Sequence, residues 1–505
     1  MFRCSASALA LLFVLGTIAP AKAGTPDAHV AVDGAEKTLR GDPTFIDLLR
    51  DATMQGVGGD TLGAAIAYDR LLIDPRMATL DPDVQSRTWV FAARVAGLQG
   101  QGPLARQRLD TALQLDPHNA EARLQLARHQ LYVGELDAGV DNLLQAIADT
   151  DGAPDLDGSL VWQLYTRLKQ APDKQRALLE GLFDRGWKIE GVEPMELWVN
   201  LAALQVDAGQ GDKVAATLER IDDALTLVRL RSDKRFDPFL RRDDPRYDPV
   251  AAARRHIDRL RVDTMLTPGF NLPAVELVSA LLVAGENDEV VGMTDSVAAY
   301  ASELAQRPDE GARDLAWMLD KRAVALLRLG RFDDAVNAGM LSVRMADPAQ
   351  DPVSQRLNLA RLYVGLHRPA LARQTIDALP NLSPFGKGFS DLIALRAALQ
   401  LKDTAAADAA RERLLVQRQD NPMLYREALL LDNRMDDAAA SLIQQLADPG
   451  QRMDALFDLQ DLRDTPPLPE SAELDARYRA LKQRADVQAA VRGVGRIDHY
   501  PLFGS

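Results

Sequence analysis

Two stretches of this chain superimpose at an offset of 34 residues, and no other feature restricts its fold so severely. With Ser86 and Ala120 as starts, Trp89 and Arg123 share the fourth position, Ala92 and Leu126 the seventh, and Ala93 and Ala127 the eighth. Gly100 and Gly134 follow at the fifteenth, Ala105 and Gly139 at the twentieth, and Ala112 and Ala146 at the twenty-seventh. Large side chains at position 4, with Leu126 at position 7 of the second copy, and small ones at 8, 20 and 27 describe two helices that approach closely. The glycine at 15 takes the left-handed conformation that ends the first helix. Such a unit cannot bury its apolar face alone, so neighbours must stack into a solenoid.

This spacing resembles the tetratricopeptide repeat (TPR) family, which implies an all-α solenoid of helix–turn–helix units. Phe45 to Leu72 reads as an opening helical pair, and a looser copy begins near Met195 with Trp198, Leu201, Ala202 and Gly209. Ser232 to Pro249 then loses helical periodicity and carries a short echo, Asp233-Lys234-Arg235-Phe236-Asp237-Pro238 against Asp244-Pro245-Arg246-Tyr247-Asp248-Pro249. It resembles a segment that closes a group of repeats, and is expected to be a cap or hinge crossed by few buried contacts. Further copies show at Asn271, at Ala316 to Ala346 with Ala323, Gly330 and Ala335, near Val353, and near Asp391. A proline-rich break at Thr465 to Pro469 precedes a last amphipathic helix, Ser471 to about Val491, whose Leu474, Tyr478 and Leu481 would cover the end of the stack. The expected organisation is therefore a signal peptide (1–23), two stacked arrays (24–250, closing at 232–249, and 251–450), and a C-terminal capping helix with tail (451–505).

The signal assignment rests on Arg3, the apolar run Leu9 to Ile18, and Ala21-Lys22-Ala23 ahead of Gly24. The one cysteine, Cys4, lies inside it, so the mature chain would hold neither disulfide nor thiolate chemistry, which suits the bacterial periplasm. No other stretch approaches about 18 uninterrupted apolar residues, so no membrane span is expected after the signal is removed. The formal charge is −14, and removing Arg3 and Lys22 takes it to −16. That sign disfavours nucleic acid and anionic lipid as partners.

Catalytic patterns are missing from the sequence. The six histidines are scattered, with no H-E-x-x-H and no G-x-S-x-G. Asp149-Thr150-Asp151-Gly152 fails the calcium-loop spacing, because Ala153 stands at its fifth position. No cofactor is expected. The more informative constellation is the one the TPR resemblance implies for the concave face, where positions 2, 5, 9, 12 and 13 of each first helix line a groove. These are Arg87, Val90, Arg94 and Leu98 in one repeat and Leu124, Arg128, Leu131 and Tyr132 in the next. Lys321, Leu357 and Arg361 are the equivalent candidates in the second array. Arginine recurs at position 9 in an acidic protein, a pattern fit to hold carboxylates of an acidic partner segment, with aliphatic neighbours gripping an extended or helical peptide. The lysine and asparagine of the carboxylate-clamp TPRs are not matched.

The sequence thus points to a non-enzymatic periplasmic scaffold that holds a protein partner within the cell envelope. An accessory subunit of a polysaccharide-export complex is the alternative, and an unrecognised hydrolase using dispersed carboxylates a third reading. The partner's identity and the oligomeric state stay open.

Overall fold

The computed structural model describes residues 43–304, 312–346, 353–377, 379, 382–466 and 468–504. The expected signal peptide at 1–23 lies outside the described residues. The chain divides into two compact units, split between Trp187 and Lys188. No described helix is long and apolar enough to cross a membrane.

The unit ending at Trp187 is built from helical hairpins: α1 (Pro43–Val57) with α2 (Thr61–Ile73), α3 (Pro82–Leu98) with α4 (Gly102–Leu115), α5 (Ala120–Tyr132) with α6 (Leu136–Asp149), and α7 (Gly158–Arg167) followed by α8 (Pro172–Asp184). Hairpin stacks on hairpin, with α4 against α5 and α6 against α8. The expected small positions are where the helices meet. Ala92 and Ala112 are fully buried, Ala93 nearly so, and a Cβ added to Gly139 would lie 2.8 Å from the Leu131 Cγ. Gly100 and Gly134 have φ of +74° and +88°, so each can end its helix where an L side chain would be strained. A buried hydrogen-bond relay fixes the spacing between hairpins. Ser86 Oγ donates to the Ala112 carbonyl at 2.8 Å, and Asn119 Nδ2 donates to Ser86 Oγ at 2.8 Å. Asn119 Oδ1 meanwhile caps α5 by accepting from Ala122 N–H.

The unit from Lys188 onward carries α9 (Met195–Asp207), α10 (Gly211–Glu219), α11 (Ala224–Ser232), α12 (Pro249–Leu266), α13 (Leu272–Ala284), α14 (Asn287–Met293), α15 (Asp295–Leu304), α16 (Ala312–Arg328) and α17 (Phe332–Ala346). It continues through α18 (Val353–Gly365), α19 (Pro369–Asp377), α20 (Pro384–Leu401), α21 (Thr404–Val416), α22 (Pro422–Leu431), α23 (Met435–Ala447) and α24 (Pro449–Asp458). Two-residue strands β1 (Asp461–Leu462) and β2 (His499–Tyr500) pair in parallel on either side of α25 (Ser471–Gln483) and α26 (Ala485–Val494). The expected single capping helix is broken at Arg484, which is extended (ψ 138°) and whose guanidinium turns onto Asp486. Its apolar stripe does what the pattern implied: Leu474 and Leu481 are buried in one cluster with Leu442 and Leu446.

Ser232 to Pro249 is not a lapse between arrays. Both flanks belong to one unit, and Ser232, Asp233, Phe236 and Leu240 are buried. The echoed motif explains the shape: Asp233 and Asp244 each accept from the backbone N–H two residues on and start a 3₁₀ turn, Lys234–Phe236 and Pro245–Tyr247. The segment is then tied to the far end of the chain. Asp233 bridges Gly495, Lys234 Nζ donates to the Arg492 carbonyl at 2.6 Å, Arg496 pairs with Asp237, and Arg242 with Asp498. A side chain at 495 would run into the Ser232 carbonyl and Leu456. Gly495→Val should therefore lower stability by about 1–3 kcal/mol and open Lys234–Arg235 to trypsin. An unchanged unfolding midpoint and digestion pattern would contradict this closure.

Candidate functional site

The groove positions separate by burial once the helices are in place. In the unit ending at Trp187, Val90, Leu124 and Leu131 at positions 5 and 12 are core side chains, because the hairpins pack more deeply there than the projection implies. Arg87 is spent on Asp83 one turn back, at 2.8 Å. Arg94 and Arg128 are half-buried, and neither forms an ion pair among the described residues. Arg128 donates to the Asp155 carbonyl at 2.8 Å, which ties α5 to the loop before α7. Arg94 sits near enough to Tyr68 to favour its ionised form, yet burial wins and pushes that phenol up to about 12. Beyond the arginines, Leu98 is 51% exposed and Tyr132 77%. Two solvated apolar side chains at the same repeat position, each one turn past an arginine, give an apolar edge beside cationic donors. The next helix, α7, carries Trp162 and Tyr165 in an edge-to-face pair at 5.9 Å, both partly exposed. Sequence reasoning passed over them because the break at Asp149 to Gly158 removes the 34-residue register.

The second-array candidates lie in a different environment. Leu357 is fully buried in the core with Phe389 and Leu392, so it cannot line a surface groove. Lys321 lies 5.7 Å from the Trp317 ring centroid, and Arg361 is half-buried. Both belong to a seam of charges along successive helices: Glu276 on α13, Asp320 and Lys321 on α16, Asn358 and Arg361 on α18, Arg396 on α20 and Glu427 on α22. Asn358 donates to Asp320 at 3.0 Å, and Arg396 reaches Glu427 at 3.6 Å and Glu470 through Nε at 3.0 Å. Burial raises the carboxyls of Glu276 and Asp320, with Lys321 opposing in both. Glu427 is pushed up to about 8 by burial, against the pull of Arg396, and Glu196 to about 7 by burial against Arg229. Burial thus outweighs the neighbouring guanidiniums at Glu427 and Glu196, and both carboxyls are held neutral well above the usual carboxylate range.

A cavity of 440 Å³ opens between the Lys188–Met195 turn, the Glu219–Asp222 turn and α12. Its arginines are committed: Arg220 to Glu193, Arg255 and Arg259 to Asp222, and Arg246 to the Glu219 carbonyl. No group of three or more potential metal ligands is found among the described residues.

No protein-family model matches this chain, and no curated protein matches it. Solved structures similar to it include the APC/C hetero-tetramer Cut9-Hcn1, at 13% identity over 92% of this chain and 98% of that one, with a TM-score of 0.27. Yeast Tom70 is similar at 12% identity over 89% of this chain and 99% of that one, also at 0.27. The TPR domain of P58(IPK) covers 80% of this chain and 99% of its own at 15% identity and a TM-score of 0.20. Superpositions at those scores carry no weight. The solenoid assignment rests on the hairpins themselves and on the spacing that builds them.

Glu427 and Glu196 hold their protons when folded at pH values where an unfolded glutamate, near 4.5, has lost them. Such groups stabilise the fold below the unfolded value, and that contribution is lost as pH rises through the folded one. Stability measured by urea unfolding should therefore fall between about pH 4.5 and 8, and Glu427→Gln should flatten that slope. An equal slope in both proteins would show that Glu427 is ionised throughout.

Proposed function

We propose that this chain is a non-enzymatic, exported scaffold of the bacterial periplasm that holds a protein partner on the first-helix face of the unit ending at Trp187. The observation that carries the reading is the pairing of exposed Leu98 and Tyr132 with half-buried Arg94 and Arg128 on consecutive first helices. An exposed leucine and tyrosine supply apolar contact, and two guanidiniums without carboxylate partners supply charge-assisted donors for acidic side chains. An acidic segment, extended or helical, is the ligand this face fits. The second unit offers a weaker candidate, since Leu357 is buried in its core and leaves no apolar side chain beside Arg361.

A photo-crosslinking amino acid tests the face directly in the source cells. Placed at Tyr132 it should give a discrete adduct that the same group at Gln107, exposed on α4, does not. Adducts at both sites, or at neither, would contradict the assignment. Arg94→Glu with Arg128→Glu should remove the adduct while the helical spectrum persists. The loss of one bond to the Asp155 carbonyl should cost only about 0.5–1.5 kcal/mol.

A further inference from the structure

The cavity of 440 Å³ beside α12 is as large as sites that enclose small molecules, and its lining divides into an apolar floor and a charged rim. Met195, Ile221 and Leu260 line it and are buried. On the rim two carboxylates are each shared between two cations: Asp222 between Arg255 and Arg259, and Glu193 between Arg220 and Lys188. Other rim charges are left over. Arg246 is exposed and lends one nitrogen to the Glu219 carbonyl, and Arg259, also exposed, gives only Nη1 to Asp222, at 3.3 Å. The carboxylates of Glu219 and Asp263 form no ion pair among the described residues.

These leftover charges are ordered along α12. Arg255 donates to the Arg246 carbonyl at 2.7 Å, which sets Arg246 level with Arg255. Arg259 and Asp263 follow at steps of four residues, so all three helix positions share one face. Asp263 stands about 12 Å beyond Arg255 along the axis. The wall is therefore cationic at one end, where three guanidiniums outnumber Asp222 and Glu219, and acidic at the other. A simple anion would leave Asp263 unanswered, and a simple cation would leave Arg246 and Arg259 so. A ligand charged with opposite sign at its two ends answers both.

We propose that this cavity binds a short peptide with both termini free, two or three residues long and bearing an apolar side chain. Its carboxylate lies against Arg246 and Arg259, whose planar donors suit such a group. Its ammonium lies against Asp263, and its side chain rests on Met195, Ile221 and Leu260. Three extended residues span about 10 Å, which the distance between the two ends of the wall accommodates. The site draws on no residue of the face proposed on the unit ending at Trp187, and stands or falls without it.

Titration calorimetry of the full chain with the tripeptide Ala-Leu-Ala tests this, beside the same peptide acetylated at its N-terminus or amidated at its C-terminus. Ala-Leu-Ala should bind, and each cap should weaken binding on the order of tenfold, because one end of the wall then goes unanswered. Asp263→Asn should weaken the free peptide and leave the acetylated one unchanged. Arg246→Gln with Arg259→Gln should weaken the free peptide and leave the amidated one unchanged. A fold damaged by the substitutions would instead weaken all three peptides together. That result would overturn the site, as would equal binding of free and capped peptides, or no binding of Ala-Leu-Ala at millimolar concentration.

Discussion

The close approach of paired helices through alanine and glycine is the constraint on which the rest of this protein depends. Ala92, Ala93 and Ala112 are buried where α3, α4 and α5 cross, and no larger side chain fits at Gly139 without displacing Leu131. Because the crossing is tight, each hairpin presents a nearly constant face to the next, and the Ser86–Asn119 relay holds the step. The repeat of that step brings Leu98 and Tyr132 into the same place on successive helices, with Arg94 and Arg128 one turn before them. The candidate binding face is thus a product of packing density and repeat length, not of a separate functional loop.

The unit from Lys188 onward uses the same hairpins to a different end. Its 232–249 segment is tied to the residues around β2 by Arg496 to Asp237 and Arg242 to Asp498, and β2 in turn pairs in parallel with β1. Along its helices the charges from Glu276 to Glu427 meet one another, and burial favours the neutral carboxyls. Polar groups enclosed in this way are costly to remove singly and contribute little net stability. Arg361, at the repeat position of the groove arginines, and Lys321 are drawn into that seam.

The fold was legible wherever a local signal existed. Gly100, Gly134, Gly209, Gly285 and Gly330 all have positive φ, as position 15 requires. At His367 and Lys402 the same left-handed turn is made by residues that announce nothing in the sequence, whereas Asn433, which also takes it, is a residue type that favours it. The closure of Ser232 to Pro249 was illegible for another reason: its partners lie near residues 492–498, a separation no periodicity encodes. Leu357 was misplaced because repeat position predicts which helix face a residue occupies, not how deeply the neighbouring helix covers it. Leu98 and Tyr132 stay exposed because they lie at the helix ends, beyond the reach of that covering.

Hydrogen exchange on Ala112→Leu tests the central claim that small residues at the crossings set the stack. Ala112 is fully buried, and the larger side chain cannot be accommodated without separating α3, α4 and α5. The account predicts that amides of α3 through α6 lose protection together, because adjacent hairpins share the face that Ala112 permits. Protection lost in α4 alone, or in no helix, would contradict it.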